Sequence, residues 1–296
     1  MNKLILHSYA KLNLYLKIVG KHKDGYHGLR TIFERIDLAD TIILTRRTDR
    51  KITLKCNVST LSGAGANSAF KATRILQDAC AVGKGVDIEL IKRIPIGAGL
   101  GGGSSNAAFV LLGLNKLWKL GLSLKKLLVF GRKIGSDVAF FLHNCSFALG
   151  EGRGDRIKPL QLQHVKPLWQ ILVVPKIEVR TPQVYKEWDR NEQRGKSLEL
   201  TIPKYNVNIL ISAIKNRDLT RLGGDLYNSL ERITLAMYPE VSLVKKRLSE
   251  LGLKSILMSG SGPAVFGLVS AKKEAASFCR QLGKEHHPNW QVFITD

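Results

Sequence analysis

Residues 94–108 read IPIGAGLGGGSSNAA, and five of the seven positions from Gly97 to Gly103 are glycine. Glycine inside a regular element costs up to ~1 kcal/mol relative to alanine, so this much bare backbone needs a reason. The segment before it, VDIELIKRIPI (86–96), alternates as a strand does. The segment after it, 105–123, is mostly apolar and predicts a helix ending near Gly121. A strand, a glycine loop and a helix in that order make an anion site. Bare amides can point inward, and the helix start adds free N–H groups and the positive end of its dipole. Ser104 and Ser105 can donate hydroxyl hydrogen bonds or help bind a metal. A plain strand-to-helix turn is the competing reading.

Two phosphate motifs can be tested against the loop. The pattern G-x-x-x-x-G-K-[ST] is absent, because Ser104 follows Gly103 with no lysine between them. The dinucleotide fingerprint G-x-G-x-x-G is matched by Gly97, Gly99 and Gly102. Its acidic ribose partner is missing, since no Asp or Glu lies between Glu89 and Asp137. Asp137 ends that acid-free run, in IGSDVAFF (134–141), ahead of Ala139, Phe140 and Phe141. Buried there, a carboxylate must be paired or functional; a helix-capping aspartate is the other reading. Lys11 is the mirror case, a lone lysine in the apolar SYAKLNLYL (8–16). Facing inward it needs an anion, phosphate or aspartate; at a strand edge it would face solvent.

The chain has 296 residues, which fits two domains or one large α/β unit. No window approaches the ~18 apolar residues of a membrane span, and the N-terminus reads as a first strand, so a cytoplasmic protein without membrane attachment is expected. Cys56, Cys80, Cys145 and Cys279 form no C-x-x-C pair, so buried thiols in a reducing compartment are expected. The net charge of +22, from 46 basic and 24 acidic residues, attracts polyanions. No zinc-finger spacing, aromatic RNA-binding motif or basic arm supports nucleic acid, although a basic nucleic-acid-binding protein is a remote alternative. A nucleotide or diphosphate ester would profit from the same field.

Along the chain, 4–19, 29–47 and 51–59 read as strands, with GKHKDGYHG (20–28) as a turn-rich loop. Residues 67–83 read as a helix capped by Asn67, and SLKKLLVFGRKIG as another capped by Ser123. ALGEGRGDRIKPL (148–160) reads as a break. Beyond it follow a strand at 168–175, a polar stretch at 186–200, helices near 207–216, 219–231 and 239–251, and a strand at 255–269 carrying its own glycine turn. The mixture predicts two α+β domains meeting at a cleft.

Together these pieces resemble the GHMP kinase superfamily. Its nucleotide loop, P-x-G-x-G-L-G-S/G-S-S, is read here as Pro95, Ile96, Gly97, Ala98, Gly99, Leu100, Gly101, Gly102, Gly103, Ser104 and Ser105. AKLNLYLKIVGKHKDGYHGLRTIF, GSDVAFFL, EGRGD and SGSGPAVFGL extend the resemblance from Lys11 to about Leu268. The resemblance implies an α+β fold of two domains, 1–157 and 158–296. The first would be like domain 2 of ribosomal protein S5 with a left-handed β-α-β element, and the second ferredoxin-like. It implies ATP on Pro95–Ser105 with Mg²⁺ on the phosphates, and Asn67 and Lys92 near the adenine. Lys11 and Asp137 match the catalytic pair. Asn13, Tyr26, His27 and Tyr185 match residues that hold a substrate with a cytosine base. The implied reaction phosphorylates the 2-hydroxyl of a cytidyl diphosphate ester of methylerythritol in non-mevalonate isoprenoid biosynthesis, by a monomer or homodimer. Mevalonate or homoserine is the alternative acceptor within the superfamily; neither carries a base to stack. The chain departs from the usual pattern at Tyr9, Ser136, Ala139 and Ser229.

Overall fold

The computed structural model describes residues 2–62, 67–162, 168–193, 207–284 and 288–296. Its first ten elements are β1 (Lys3–Lys21), β2 (His27–Arg46), β3 (Ile52–Cys56), α1 (Ser68–Ala79), β4 (Val86–Ile91), α2 (Gly102–Leu117), α3 (Leu124–Arg132), α4 (Val138–His143), β5 (Phe147–Gly152) and β6 (Arg156–Pro159). Then follow β7 (Trp169–Pro175), α5 (Thr181–Gln193), α6 (Val207–Asn216), α7 (Leu219–Asp225), β8 (Tyr227–Asn228), α8 (Glu231–Met237), α9 (Pro239–Glu250), β9 (Ile256–Met258), β10 (Val265–Val269), α10 (Lys272–Lys284) and β11 (Trp290–Thr295). The chain divides into two units. Met1–Lys11, Arg35–Ile96 and Gly101–Leu160 form the first; Leu12–Glu34, Gly97–Leu100 and Gln161–Asp296 form the second.

In the first unit β4 pairs antiparallel with β2 and parallel with β3, opposite Leu44 and Leu54 at Ile88. Every second residue of β4 is buried, as a half-covered strand requires. The helices follow from their caps and apolar faces. Asn67 accepts from the Ala69 amide to start α1, and Ala69, Ala72 and Leu76 form its buried side. Ser123 accepts from the Lys126 amide to start α3. Helix α2 is buried on almost every face, which its apolar sequence predicts. It begins at Gly102, three residues earlier than the periodicity suggests, because glycines and serines carry no apolar signal. The segment 148–160, expected as a break, is the antiparallel hairpin β5–β6.

In the second unit β7 lies between β11 and β10, and β9 forms the other edge, all antiparallel. Leu16, Ile18, Ile171, Val173, Val244 and Val265 belong to one buried cluster of this unit. The helix expected over 219–231 ends at Asp225 as α7; Tyr227–Asn228 form β8, and α8 begins only at Glu231. Asn228 breaks it: its side-chain amide donates to the Met258 and Gly260 carbonyls, and its oxygen accepts from the Leu230 amide. Those bonds hold the chain extended where it pairs with Tyr15 and Leu16 of β1. Part of the expected polar stretch is helix α5, a reading its low hydrophobicity concealed; residues 194–200 lie outside the described residues. The four cysteines are free and half-buried rather than buried.

Glu34 is a buried acid in this second unit. Its Oε2 has no hydrogen-bond partner among the described residues. Burial pushes its carboxyl from an ordinary 4.5 up to about 8, against an opposing interaction with Gln170 and with help from the charge of Asp296. A carboxyl that binds its proton more tightly when folded stabilises the protein fully below its unfolded value. That stabilisation is lost as pH rises through the folded value. Unfolding free energy from urea titrations should therefore fall between pH 5 and pH 9, by on the order of a few kcal/mol. In Glu34→Gln that decline should largely disappear.

Candidate active site

Strand β4 and helix α2 flank the glycine loop, as the sequence order predicts. Gly101 caps α2 in the left-handed region at φ 68°, and no side chain caps this end. Ser105 N–H donates to the Gly101 carbonyl at 2.8 Å, so the amides of Gly102, Gly103 and Ser104 precede the first intrahelical bond. No acidic residue sits in the first turn. Ser105 Oγ is buried with no hydrogen-bond partner among the described residues. An uncapped, acid-free helix start with an orphan hydroxyl is suited to a phosphate group.

Lys11 and Asp137 meet in the first unit, Nζ to Oδ2 at 3.6 Å. The sequence reading turns both side chains inward; the structure buries Lys11 and leaves Asp137 partly exposed. The Lys11 side chain is 4% exposed and that of Asp137 is 29% exposed. The reason is local: Asp137 stands at the entrance to α4, outside the buried run Val138–Leu142. Nor does its carboxylate cap the helix. Burial pulls the Lys11 ammonium below its ordinary pKa, and the charge and hydrogen bond of Asp137 oppose that shift. Lys11 also stands against the loop, since a Cβ on Gly101 would lie 3.1 Å from Lys11 Cγ.

The middle of the loop, Gly97–Leu100, belongs to the second unit, where it is bound to the SGSGP turn between β9 and β10. Ala264 N–H donates to the Ala98 carbonyl at 3.2 Å. The Ser259 hydroxyl donates to the Gly99 carbonyl at 3.1 Å and accepts from the Asn13 amide at 3.3 Å. Gly99 has φ 77°, and a Cβ there would collide with the Ser259 carbonyl oxygen. The Asn13 side chain donates to Thr31 at 2.8 Å. Pro95 and Ile96 lead into the loop, Ile96 with its side chain exposed.

Two residues matched to the adenine end are already engaged. The Asn67 side chain accepts from Ala69 N–H and donates to the Leu61 carbonyl. The Lys92 ammonium pairs with the buried Asp40 and donates to Asn106. Asp40 also accepts from the Arg93 and Ile94 amides and from Asn106. Asp40 thus holds the chain entering the loop and the helix leaving it. Sequence reading missed it; its only signal is an acid on the inward parity of β2.

Tyr26 is 59% exposed, whereas His27 is largely enclosed. Tyr185 stacks on the His27 ring at 4.7 Å, and Trp188 meets it edge-on at 5.6 Å. His27 Nε2 lies 2.7 Å from Asp189 Oδ1, and Lys21 Nζ lies 2.5 Å from Asp189 Oδ2. Tyr185, Trp188 and Asp189 stand at i, i+3 and i+4 on α5, which puts them on one face. Trp188 and Asp189 were not singled out from sequence.

Family models for the GHMP kinases N terminal domain and the GHMP kinases C terminal match residues 67–145 and 210–289. The 4-diphosphocytidyl-2-C-methyl-D-erythritol kinase of Bacillus pumilus is 40% identical over 280 residues, covering 92% of this chain and 93% of that protein. A crystal structure of 4-(cytidine 5'-diphospho)-2C-methyl-D-erythritol kinase is 32% identical, with a TM-score of 0.76 and 99% coverage of both chains. Homoserine kinase from Cytophaga hutchinsonii shares the fold, with a TM-score of 0.73 at 18% identity, covering 100% of this chain and 95% of that one. The chain belongs to the GHMP kinases and, within them, to the family of the 4-diphosphocytidyl-2-C-methyl-D-erythritol kinases. It is a phosphotransferase, with ATP as donor and a small molecule as acceptor.

Two substitutions test this geometry. Gly99→Ala combines an unfavourable φ with a collision, and should weaken ATP binding in calorimetric titration by on the order of tenfold or more. Asp40→Ala leaves the Lys92 ammonium buried without its anion, and should cost roughly 3–5 kcal/mol in urea unfolding.

Proposed function

We propose that the protein transfers the γ-phosphoryl group of ATP to the 2-hydroxyl of 4-diphosphocytidyl-2-C-methyl-D-erythritol, in non-mevalonate isoprenoid precursor biosynthesis. The observation that carries the reading is the Lys11–Asp137 couple, a buried ammonium against a half-exposed carboxylate with the glycine loop beside it. The likeness to kinases named for this substrate supports the choice of acceptor.

The chemistry follows from the groups present. Asp137 accepts the proton of the 2-hydroxyl as its oxygen bonds to the γ-phosphorus, while the bond to the bridging oxygen breaks and ADP leaves. Lys11 pairs with the Asp137 carboxylate and orients the hydroxyl. The amides of the Pro95–Ser105 loop stabilise charge on the transferring group. Because the transition state is loose, positioning and charge stabilisation matter more than the strength of the base.

Mg²⁺ takes oxygen ligands and keeps several waters, and is bound mostly by substrate phosphates. Among the described residues no group of three His, Cys, Asp or Glu could hold a metal alone. The orphan Ser105 hydroxyl fits an ion held chiefly by ATP oxygens, with Ser104 adjacent. When bound, the ion would neutralise phosphate charge. Asn67 and Lys92 remain assigned to the surroundings of the adenine, with their engaged polar groups shaping that end rather than reaching out.

Tyr26, His27 and Tyr185 bind the cytosine, the rings by stacking and His27 by hydrogen bonding to the polar edge; Asn13 serves the acceptor. The +22 charge aids capture of two polyanionic substrates. The protein acts in the cytoplasm as a monomer or homodimer, without nucleic acid. No helix among the described residues is long and apolar enough to cross a membrane.

Transfer from labelled ATP, compared between the cytidyl ester and mevalonate, tests the assignment; label should move to the cytidyl ester. Asp137→Asn and Lys11→Met should each lower kcat by ~10²-fold or more while thermal melts stay cooperative. Full turnover in the Asp137 variant would refute its role.

A further inference from the structure

We propose that Asp189 is a positioning residue that selects the His27 tautomer and thereby makes the enzyme read cytosine rather than uracil. The inference rests on the proposed function, in which His27 faces the base.

Asp189 touches His27 on one nitrogen only: Oδ1 lies 2.7 Å from Nε2. Its other oxygen receives the Lys21 ammonium at 2.5 Å. Burial pushes the Asp189 carboxyl up, but the hydrogen bonds and charges of Lys21 and His27 outweigh it and leave the group below its ordinary range. An ionised carboxylate only accepts hydrogen bonds. The proton on neutral His27 therefore sits on Nε2, and Nδ1 presents a lone pair.

Contacts on its face and edge hold the plane of the ring, and the Asp189 bond would be lost if the ring flipped. Tyr185 covers its face and Trp188 meets its plane at 89°. Both stand on the same face of α5 as Asp189, so one helix supplies the stack, the edge contact and the hydrogen bond. The side chain of His27 is 9% exposed, leaving little room for a second orientation.

A fixed lone pair carries information about a base. Cytosine presents its 4-amino group as a donor where uracil presents the O4 acceptor. Nδ1 accepts from the first and repels the second. Discrimination of this kind is strong, because the wrong base leaves two acceptors facing one another. Asn in place of Asp189 can donate as well as accept, so it removes the preference while keeping size and shape.

The test combines kinetics and spectroscopy on the full chain. Imidazole nitrogen NMR, with the His27 signals assigned by their loss in His27→Gln, should show the proton of neutral His27 on Nε2. Asp189→Asn should raise KM for the cytidyl ester by on the order of tenfold, with most of the loss in KM rather than kcat. Its preference for cytidyl over uridyl ester, as a ratio of kcat/KM, should fall by a similar factor, and Asp189→Glu should restore part of it. A proton on Nδ1 in the wild type, or an unchanged KM and base ratio in Asp189→Asn, overturns the proposal. A wild type inactive on the cytidyl ester would count against the proposed function instead, and the tautomer measurement would still decide the role of Asp189.

Discussion

A lysine side chain taken out of water must be answered by an anion, and among the described residues Lys11 and Lys92 are two such cases. The Lys92 ammonium meets Asp40, which is fully buried and also accepts from two backbone amides and the Asn106 side chain. Every lone pair of that carboxylate is used, so it builds structure. The Lys11 ammonium meets Asp137, which is partly open to solvent. An accessible carboxylate beside a buried ammonium suits the proton-accepting role proposed for it. The two pairs have the same composition and differ in how completely the acid is satisfied, a difference that favours the second pair for the proposed chemistry.

The glycine loop is fastened at several points. Asp40 fastens the residues before it and the helix after it. Its middle is fastened separately, to Ser259 and Ala264 in the second unit. Such anchoring lets a backbone with positive φ at Gly97, Gly99 and Gly101 keep one shape. For the phosphate-binding role proposed for the loop, amides that need not reorganise are the useful ones.

Much of this was legible beforehand. The glycine loop, the acid-free run ending at Asp137 and the lone Lys11 are local patterns with direct chemical meaning. The strands β1, β2 and β4 and the caps at Asn67 and Ser123 follow from periodicity and side-chain chemistry. What escaped was non-local. No periodicity reveals that Asn228 will bond the turn after β9 and break a helix. Nor does it reveal that Asp40 will collect donors from positions more than fifty residues away. The partial exposure of Asp137 is not legible, because nearby phenylalanines say nothing about which end of a helix a carboxylate occupies. Helix α5 was hidden because most of its face is polar, and with it went the Asp189–His27 contact.

The division of the chain has a consequence for its synthesis. The second unit takes Leu12–Glu34 and Gly97–Leu100 from the front of the chain and joins them to everything after Leu160. Leu16 and Ile18 share a core with Ile171 and Val173. An early strand must therefore wait on the ribosome until more than a hundred further residues have emerged before its apolar side is covered. A fragment begun at Gln161 would lack that strand altogether, so the two halves of the gene could not be separated and expressed as independent pieces.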